Sequence, residues 1–217
     1  MAYLALATAL LGTTLLAGRL PAGGWSWDLL NGLGLGACAL LVELSRSSAS
    51  PPRPPGLALH RRLAEASAVL VLAHALGLLV LEPTLWVWLA PEGPPYLLAG
   101  LAGGVGVLVL TVSAWPGPRR RLFAGSAFRS WHRAASLLVV PLVAWHVAGA
   151  GFYLSTPVAV GAFLALAAGL PLGAWGARRL GHRLGPDPAD PRLADAFLPL
   201  AGTTAGLVLL FALVRNL

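Results

Sequence analysis

The stretch HRRLAEASAVLVLAH, residues 60–74, begins and ends on histidine, and so does HRAASLLVVPLVAWH, residues 132–146. The whole chain has only five histidines, and four of them occupy these ends. Fourteen residues are close to four turns of α-helix, so both histidines of a stretch project from nearly the same face, about 21 Å apart along the axis. The two stretches therefore predict two helices with histidines at two matching levels.

The composition around these stretches is typical of a membrane protein. Hydrophobic residues make up 57% and charged residues 11% of the 217, and mean hydropathy is +0.76, whereas soluble domains carry about 25% charged residues. Apolar runs of about 20 residues predict an all-α polytopic transmembrane bundle of seven spans. The first run is expected to be a retained helix, because no basic residue precedes it as in a signal peptide. The runs lie near 2–18, 27–45, 58–81, 95–115, 130–152, 157–177 and 194–214.

The chain has no lysine. Its arginines cluster in alternate loops, which predicts that those loops face the cytoplasm. The clusters are Arg46, Arg53, Arg61 and Arg62; Arg119, Arg120, Arg121, Arg129 and Arg133; and Arg178, Arg179, Arg183 and Arg192. The N-terminus is then expected in the cytoplasm and the C-terminus outside a bacterial-type inner (plasma) membrane. Arg19 and Arg215 fall on the outer side as exceptions. Membrane orientation explains the net charge of +7, so the lipid bilayer is the expected partner and nucleic acid is not.

Two absences narrow the chemistry that these residues can carry. Cys38 is the only cysteine, which excludes an intramolecular disulfide and a CxxCH motif for covalent haem attachment. No glycine-rich phosphate loop follows a strand, and the polar connectors at 46–56, 116–129 and 178–193 are short. A flavin or nicotinamide domain is therefore expected on a separate, soluble partner.

Two facing helices with two histidine levels suit two stacked haems, each iron taking one imidazole from each helix. The predicted axial ligands are His60 with His132 for one non-covalent, b-type haem and His74 with His146 for the other. Two axial imidazoles favour electron transfer over oxygen binding at the iron, and the second nitrogen of each ring needs a hydrogen-bond partner. The alternative is that neighbouring helices simply satisfy these histidines. Four histidines in matched pairs argue against this alternative, because polar groups at membrane depth are costly and usually functional.

Several charged residues lie close to the first histidine level. Arg61, Arg62 and Arg133 are candidate partners for haem propionates, since a guanidinium can bind a carboxylate through two hydrogen bonds. The same three arginines also fit the positive-inside rule without any haem. Glu65 is expected to form a salt bridge with Arg61 one turn earlier. The alternative for Glu65 is a carboxylate that handles protons or quinol.

Histidine pairs on the third and fifth spans, each opening with His-Arg, resemble the ferric reductase-like transmembrane domain. That domain is shared by ferric reductases, NADPH oxidases and the haem membrane subunit of a bacterial methionine sulfoxide reductase system. The resemblance covers residues 1–177, for which it implies a six-helix di-haem core. The chain departs from the larger members in residues 178–217, which are expected to form a basic cytoplasmic loop and an extra C-terminal transmembrane helix.

The resemblance implies an oxidoreductase component, a haem-dependent transmembrane reductase. Electrons would pass from a cytoplasmic flavin through the inner haem, on His60 and His132, to the outer haem, on His74 and His146, and then to an external acceptor. The expected partner is a soluble cytoplasmic flavoprotein reductase. An exposed edge of the outer haem would let the chain act as an enzyme by itself.

Two other functions share parts of this pattern. Cytochrome b of quinol-oxidising complexes is similar in its two fourteen-residue histidine pairs, so a quinone-linked membrane anchor of a partner oxidoreductase is the main alternative, with quinone as the cytoplasmic cofactor in place of flavin. No PEWY-like quinol-site sequence accompanies the pattern here. A non-redox protein whose histidines bind metal ions is the second alternative. The separation of about 21 Å within each stretch would limit it to sites of two histidines.

Overall fold

The computed structural model describes residues 24–47, 54–123, 127–179 and 197–217, and these residues form helices without a strand. A 3-10 helix, Pro83–Leu89, lies between the second and third α-helices. The predicted first span, residues 2–18, lies outside the described residues. The α-helices are α1 Trp25–Ser47, α2 Pro54–Leu81, α3 Pro95–Ser113, α4 Pro116–Leu122, α5 Ala127–Ala150, α6 Pro157–Arg179 and α7 Phe197–Arg215.

Four of the described helices, α1, α2, α3 and α5, are long and apolar enough to cross a membrane. They correspond to the second, third, fourth and fifth predicted spans. Helices α6 and α7 contain shorter apolar stretches, Pro157–Gly169 and Gly202–Arg215. The described residues thus confirm an all-helical fold with four helices that could cross a membrane, while the total of seven spans and the six-helix core stay predictions.

Proline marks the first residue of most of these helices. Pro54, Pro83, Pro95, Pro116 and Pro157 each open a helical segment. Proline fits this position because its fixed φ matches the helix and its missing N–H would have no partner in the first turn. The prolines thus divide a nearly continuous apolar sequence into separate helices.

The four apolar helices form a bundle in which the two histidine-bearing helices stand diagonally opposite. Helix α1 packs against both α2 and α5, and α3 also packs against both of them. Among the described helices, α2 and α5 are not packed side by side. Helices α1 and α3 therefore hold the histidine helices apart, across the centre of the bundle.

An apolar layer fills the middle of this bundle. Its buried members come from all four helices: Leu41, Ala68, Val107, Leu110 and Val139. Ala68 lies midway between the two histidines of α2, and Val139 lies midway between those of α5. The two histidine levels are therefore separated by close-packed hydrocarbon, which excludes water.

Helix α7 packs on the side of α1 that faces away from the histidines. A Cβ added at Gly32 would lie 3.0 Å from Val208 Cγ1, and one added at Gly36 would lie 3.2 Å from Thr204 Cγ2. Small residues four positions apart let two membrane helices approach closely. The Gly32-x3-Gly36 pattern accordingly accounts for the docking of α7.

A buried polar cluster fixes the same helix at its C-terminal end. The Tyr153 hydroxyl donates to Asp28 Oδ1 over 2.8 Å, and Asn216 Nδ2 donates to Asp28 Oδ2 over 3.0 Å. Arg215 Nε lies 3.8 Å from Asp28 Oδ1, with only 6% of its side chain exposed. Burial raises the pKa of Tyr153 above its ordinary value, and the hydrogen bond to Asp28 acts in the same direction, so the hydroxyl keeps the proton that it donates. We call Asp28, Tyr153, Arg215 and Asn216 the Asp28 cluster.

The Asp28 cluster explains why Arg215 breaks the predicted loop pattern. Its charge is paired within the protein and does not act as a free topology signal. The cluster marks one end of the bundle, which we call the Asp28 end. The opposite end carries Arg61, Arg62, Arg133 and helix α4, and we call it the arginine end. Which end faces the cytoplasm stays a prediction.

Replacing Asp28 by alanine should destabilise the protein strongly. The change leaves the charge of Arg215 buried without its carboxylate, and breaking a buried ion pair in this way costs about 3–5 kcal/mol. The melting temperature of the purified protein in detergent measures the effect. Glu92→Ala, which removes an exposed carboxylate, is the control. Equal melting temperatures for the two variants would contradict the structural role of the cluster.

Candidate functional site

The structure brings the four histidines together in the two pairs that their spacing predicts. The imidazole centroids of His60 and His132 are 6.3 Å apart, with their planes at 63°. Those of His74 and His146 are 6.1 Å apart, with their planes at 67°. The first pair lies toward the arginine end and the second toward the Asp28 end.

These separations suit two imidazoles on opposite sides of one metal ion. A ligating nitrogen lies about 1.1 Å from the centroid of its ring and about 2.0 Å from the metal, so two imidazoles on opposite sides of it have centroids about 6.2 Å apart. Both observed distances are close to this value. Neither pair is close enough for the two rings to hydrogen-bond to each other directly.

His74 is oriented by the neighbouring helix α1. Its Nδ1 lies 3.0 Å from the carbonyl oxygen of Leu30. Because a carbonyl only accepts, Nδ1 carries the proton and Nε2 keeps a free lone pair. The ring lies directly against Gly34, where an added Cβ would come within 2.8 Å of Nδ1. Helix α1 therefore sets both the tautomer and the position of this imidazole.

His146 has the same arrangement on helix α3. Its Nδ1 lies 3.0 Å from the carbonyl oxygen of Tyr96 and donates to it. The ring lies against Gly100, where an added Cβ would overlap it. The Tyr96 ring also stacks on the imidazole, with centroids 6.3 Å apart and planes at 29°.

The correspondence extends to a second glycine in each helix pair. Gly77 follows His74 by three residues and packs against the side chain of Leu30; Gly149 follows His146 by three residues and packs against Tyr96. In both cases the residue that offers its carbonyl is clamped by a glycine of the histidine helix. The packing of α1 against α2 around His74 therefore matches the packing of α3 against α5 around His146.

The His60–His132 pair has a different environment. The ring of Phe128 lies 5.2 Å from that of His132, at 35°. His132 Nδ1 is buried and makes no hydrogen bond with any described residue. A buried polar atom without a partner is uncommon in native proteins and asks for an explanation.

The candidate propionate partners lie at the surface of the arginine end. Arg61 Nε donates to Glu65 Oε1 over 2.8 Å, so the predicted salt bridge is confirmed. Both side chains are well exposed, which limits the value of this pair to about 0.5 kcal/mol. Arg62 and Arg133 are also exposed. The structure places the three arginines near the first histidine level without bringing them into one cluster.

Sequence reasoning missed the groups that orient the imidazoles of His74 and His146. Glycines were evident in both neighbouring helices, but only the rotation of each helix shows that Gly34 and Gly100 meet the histidine rings. It also missed Asp28. The signal for Asp28 was present, since an acidic residue at the start of a span and an arginine at the end of another, Arg215, are each costly unless paired.

No family model, curated protein or solved structure matches the chain. Within the described ranges, no three or more His, Cys, Asp or Glu side chains come together as a metal-ion site. Two-histidine pairs suffice for a haem, whose porphyrin supplies the other four ligands.

Replacing Gly34 or Gly100 by alanine should destabilise the protein by about 1–3 kcal/mol, because the new methyl group overlaps a histidine ring. Gly161→Ala is the matched control, since a Cβ there meets nothing within 4 Å. Alanine in a helix interior is normally better than glycine by about 0.5–1 kcal/mol, so the control should be stabilised. Thermal melting in detergent measures all three variants. A stabilised Gly34→Ala protein would be incompatible with the described contact.

Proposed function

We propose that this chain is a transmembrane electron carrier with two b-type haems, of the ferric reductase-like type. The observation that carries the proposal is the pair of imidazole separations, 6.3 Å and 6.1 Å, at two levels of one bundle. A pair of histidines that merely satisfied each other would hydrogen-bond at shorter range.

His60 and His132 would hold one haem, and His74 and His146 the other. A haem bound at either pair would supply an iron able to carry one electron at a time. The donor set fits the group, because each pair offers two nitrogens of neutral imidazole type. For His74 and His146, the hydrogen bonds to Leu30 and Tyr96 already select the tautomer in which Nε2 is the ligand.

The protein residues around the pairs would tune and insulate them. A carbonyl that accepts from Nδ1 makes the imidazole a stronger electron donor, which favours the ferric state. His74 and His146 both have such a partner, so this effect acts twice at one level. The apolar layer of the bundle centre keeps water away from the space between the levels.

The proposed direction of electron flow follows from the charges at the two ends. The arginine end would face the cytoplasm, where a separate flavoprotein reductase delivers electrons to the His60–His132 level. The His74–His146 level would then deliver them to an acceptor outside. The arginines of α4 offer a cationic surface on which an acidic partner can dock.

Paired histidine substitutions test the proposal. We expect two b-type haems per chain in the purified protein, by pyridine haemochromogen assay. His74→Ala with His146→Ala should remove one haem and leave the other, and His60→Ala with His132→Ala should do the converse. His182→Ala serves as the control and should keep both haems. A well-folded wild-type protein without haem would disprove the proposed function.

The identity of the electron donor has its own test. Reduced flavin mononucleotide, added anaerobically without quinol, should reduce the haems of the purified protein, as followed by their optical difference spectrum. Reduction that requires a quinol and is blocked by a quinol-site inhibitor would instead support the quinone-linked anchor. Reduced methyl viologen, a one-electron donor that needs no specific site, controls for the integrity of the haems.

A further inference from the structure

Helix α4 is held beneath the first histidine level by an aromatic cluster. The Phe123 ring, just after α4, lies 4.8 Å from that of Trp131 and 5.4 Å from that of Phe128. Trp131 and Phe128 both belong to α5 and flank His132. These contacts hold the basic helix α4 against α5, which carries His132.

One arginine of α4 reaches the imidazole pair through this cluster. The guanidinium carbon of Arg119 lies 4.7 Å from the centroid of the Phe128 ring, and that ring lies 5.2 Å from the ring of His132. Phe128 is buried, so it supports the guanidinium from the protein side. A cation over an aromatic face is held in place by the charge distribution of the ring. Arg119 is thereby positioned one ring away from His132.

The other arginines at this end are placed differently. Arg61 is joined to Glu65 by its salt bridge. Arg119, Arg120 and Arg121 are all exposed on α4, and among these three described residues it is Arg119 whose guanidinium lies over the Phe128 ring. The stack of cation, phenyl ring and imidazole therefore singles out Arg119 among the residues of α4.

We propose that Arg119 binds a propionate of the haem held by His60 and His132, and that Phe128 positions it for this contact. The inference rests on the proposed function, since it needs a haem at that level. Propionates are carboxylates on the edge of the porphyrin, and a guanidinium can bind one through two parallel hydrogen bonds. At the boundary of the apolar bundle this contact is stronger than in bulk water. The assignment differs from the sequence expectation, which named Arg61, Arg62 and Arg133.

The test compares Arg119→Gln with Arg120→Gln in the full-length, haem-loaded protein. Arg120→Gln removes the same charge from the same helix, so it is a matched control. A cation near a propionate favours the more negative, ferrous state, and its loss should lower the midpoint potential of one haem only. Loss of a charged hydrogen bond should also speed the transfer of that haem to apomyoglobin about tenfold. The control should change neither quantity.

Each outcome of this comparison decides the inference. Equal potentials and equal release rates for the two variants would overturn it, even if the wild type carries two haems. A wild type without haem would overturn the proposed function itself, which makes the two failures distinguishable. If the Arg119→Gln protein cannot be purified, Arg119→Lys replaces it in the test. Lysine keeps the charge but lacks the two parallel N–H donors of the guanidinium. Transfer of the haem to apomyoglobin should therefore be faster, while its midpoint potential should not change. An unchanged release rate would then count against Arg119.

Discussion

The close contact between each glycine of a neighbouring helix and a histidine ring is the constraint on which the bundle depends. At Gly34 and Gly100 the helix backbone comes within reach of an imidazole, so that a main-chain carbonyl can accept its Nδ1 proton. Any side chain there would push the helices apart and break the hydrogen bond. The same contacts keep α2 and α5 on the diagonal of the bundle, because α1 and α3 each lie between them. Two imidazoles can thus lie deep in an apolar bundle because backbone carbonyls accept their hydrogen bonds.

The two histidine levels are built in different ways. At the Asp28 end, both imidazoles are oriented by carbonyls before any ligand arrives. At the arginine end, His132 Nδ1 lacks such a partner among the described residues, and an aromatic and cationic surface surrounds it. Under the proposed function, haems held at two such different levels would have different midpoint potentials. The Asp28 cluster adds a second asymmetry by fixing α7 at one end.

Local periodicity was sufficient to predict α1, α2, α3 and α5 and the pairing of the histidines, but not α4, which lies in a predicted polar connector. The fourteen-residue spacing determines which face of a helix carries both side chains, and two such helices can match in only one way when they run parallel. The salt bridge between Arg61 and Glu65 followed from the same reasoning, since it joins successive turns. The contacts of Asp28 with Tyr153 and Asn216 could not be found in this way. They join residues far apart in the chain, and they depend on how α1, α5 and α7 are rotated and packed.

The most direct test of the account is the electron paramagnetic resonance spectrum of the oxidised, purified protein, with spins quantified per chain. Two imidazoles on each ferric iron make it six-coordinate and low-spin. We expect two low-spin ferric haems per chain and no high-spin signal. A chain with a single haem, or with a high-spin iron that lacks one imidazole, would contradict the claim that both histidine pairs bind haem iron.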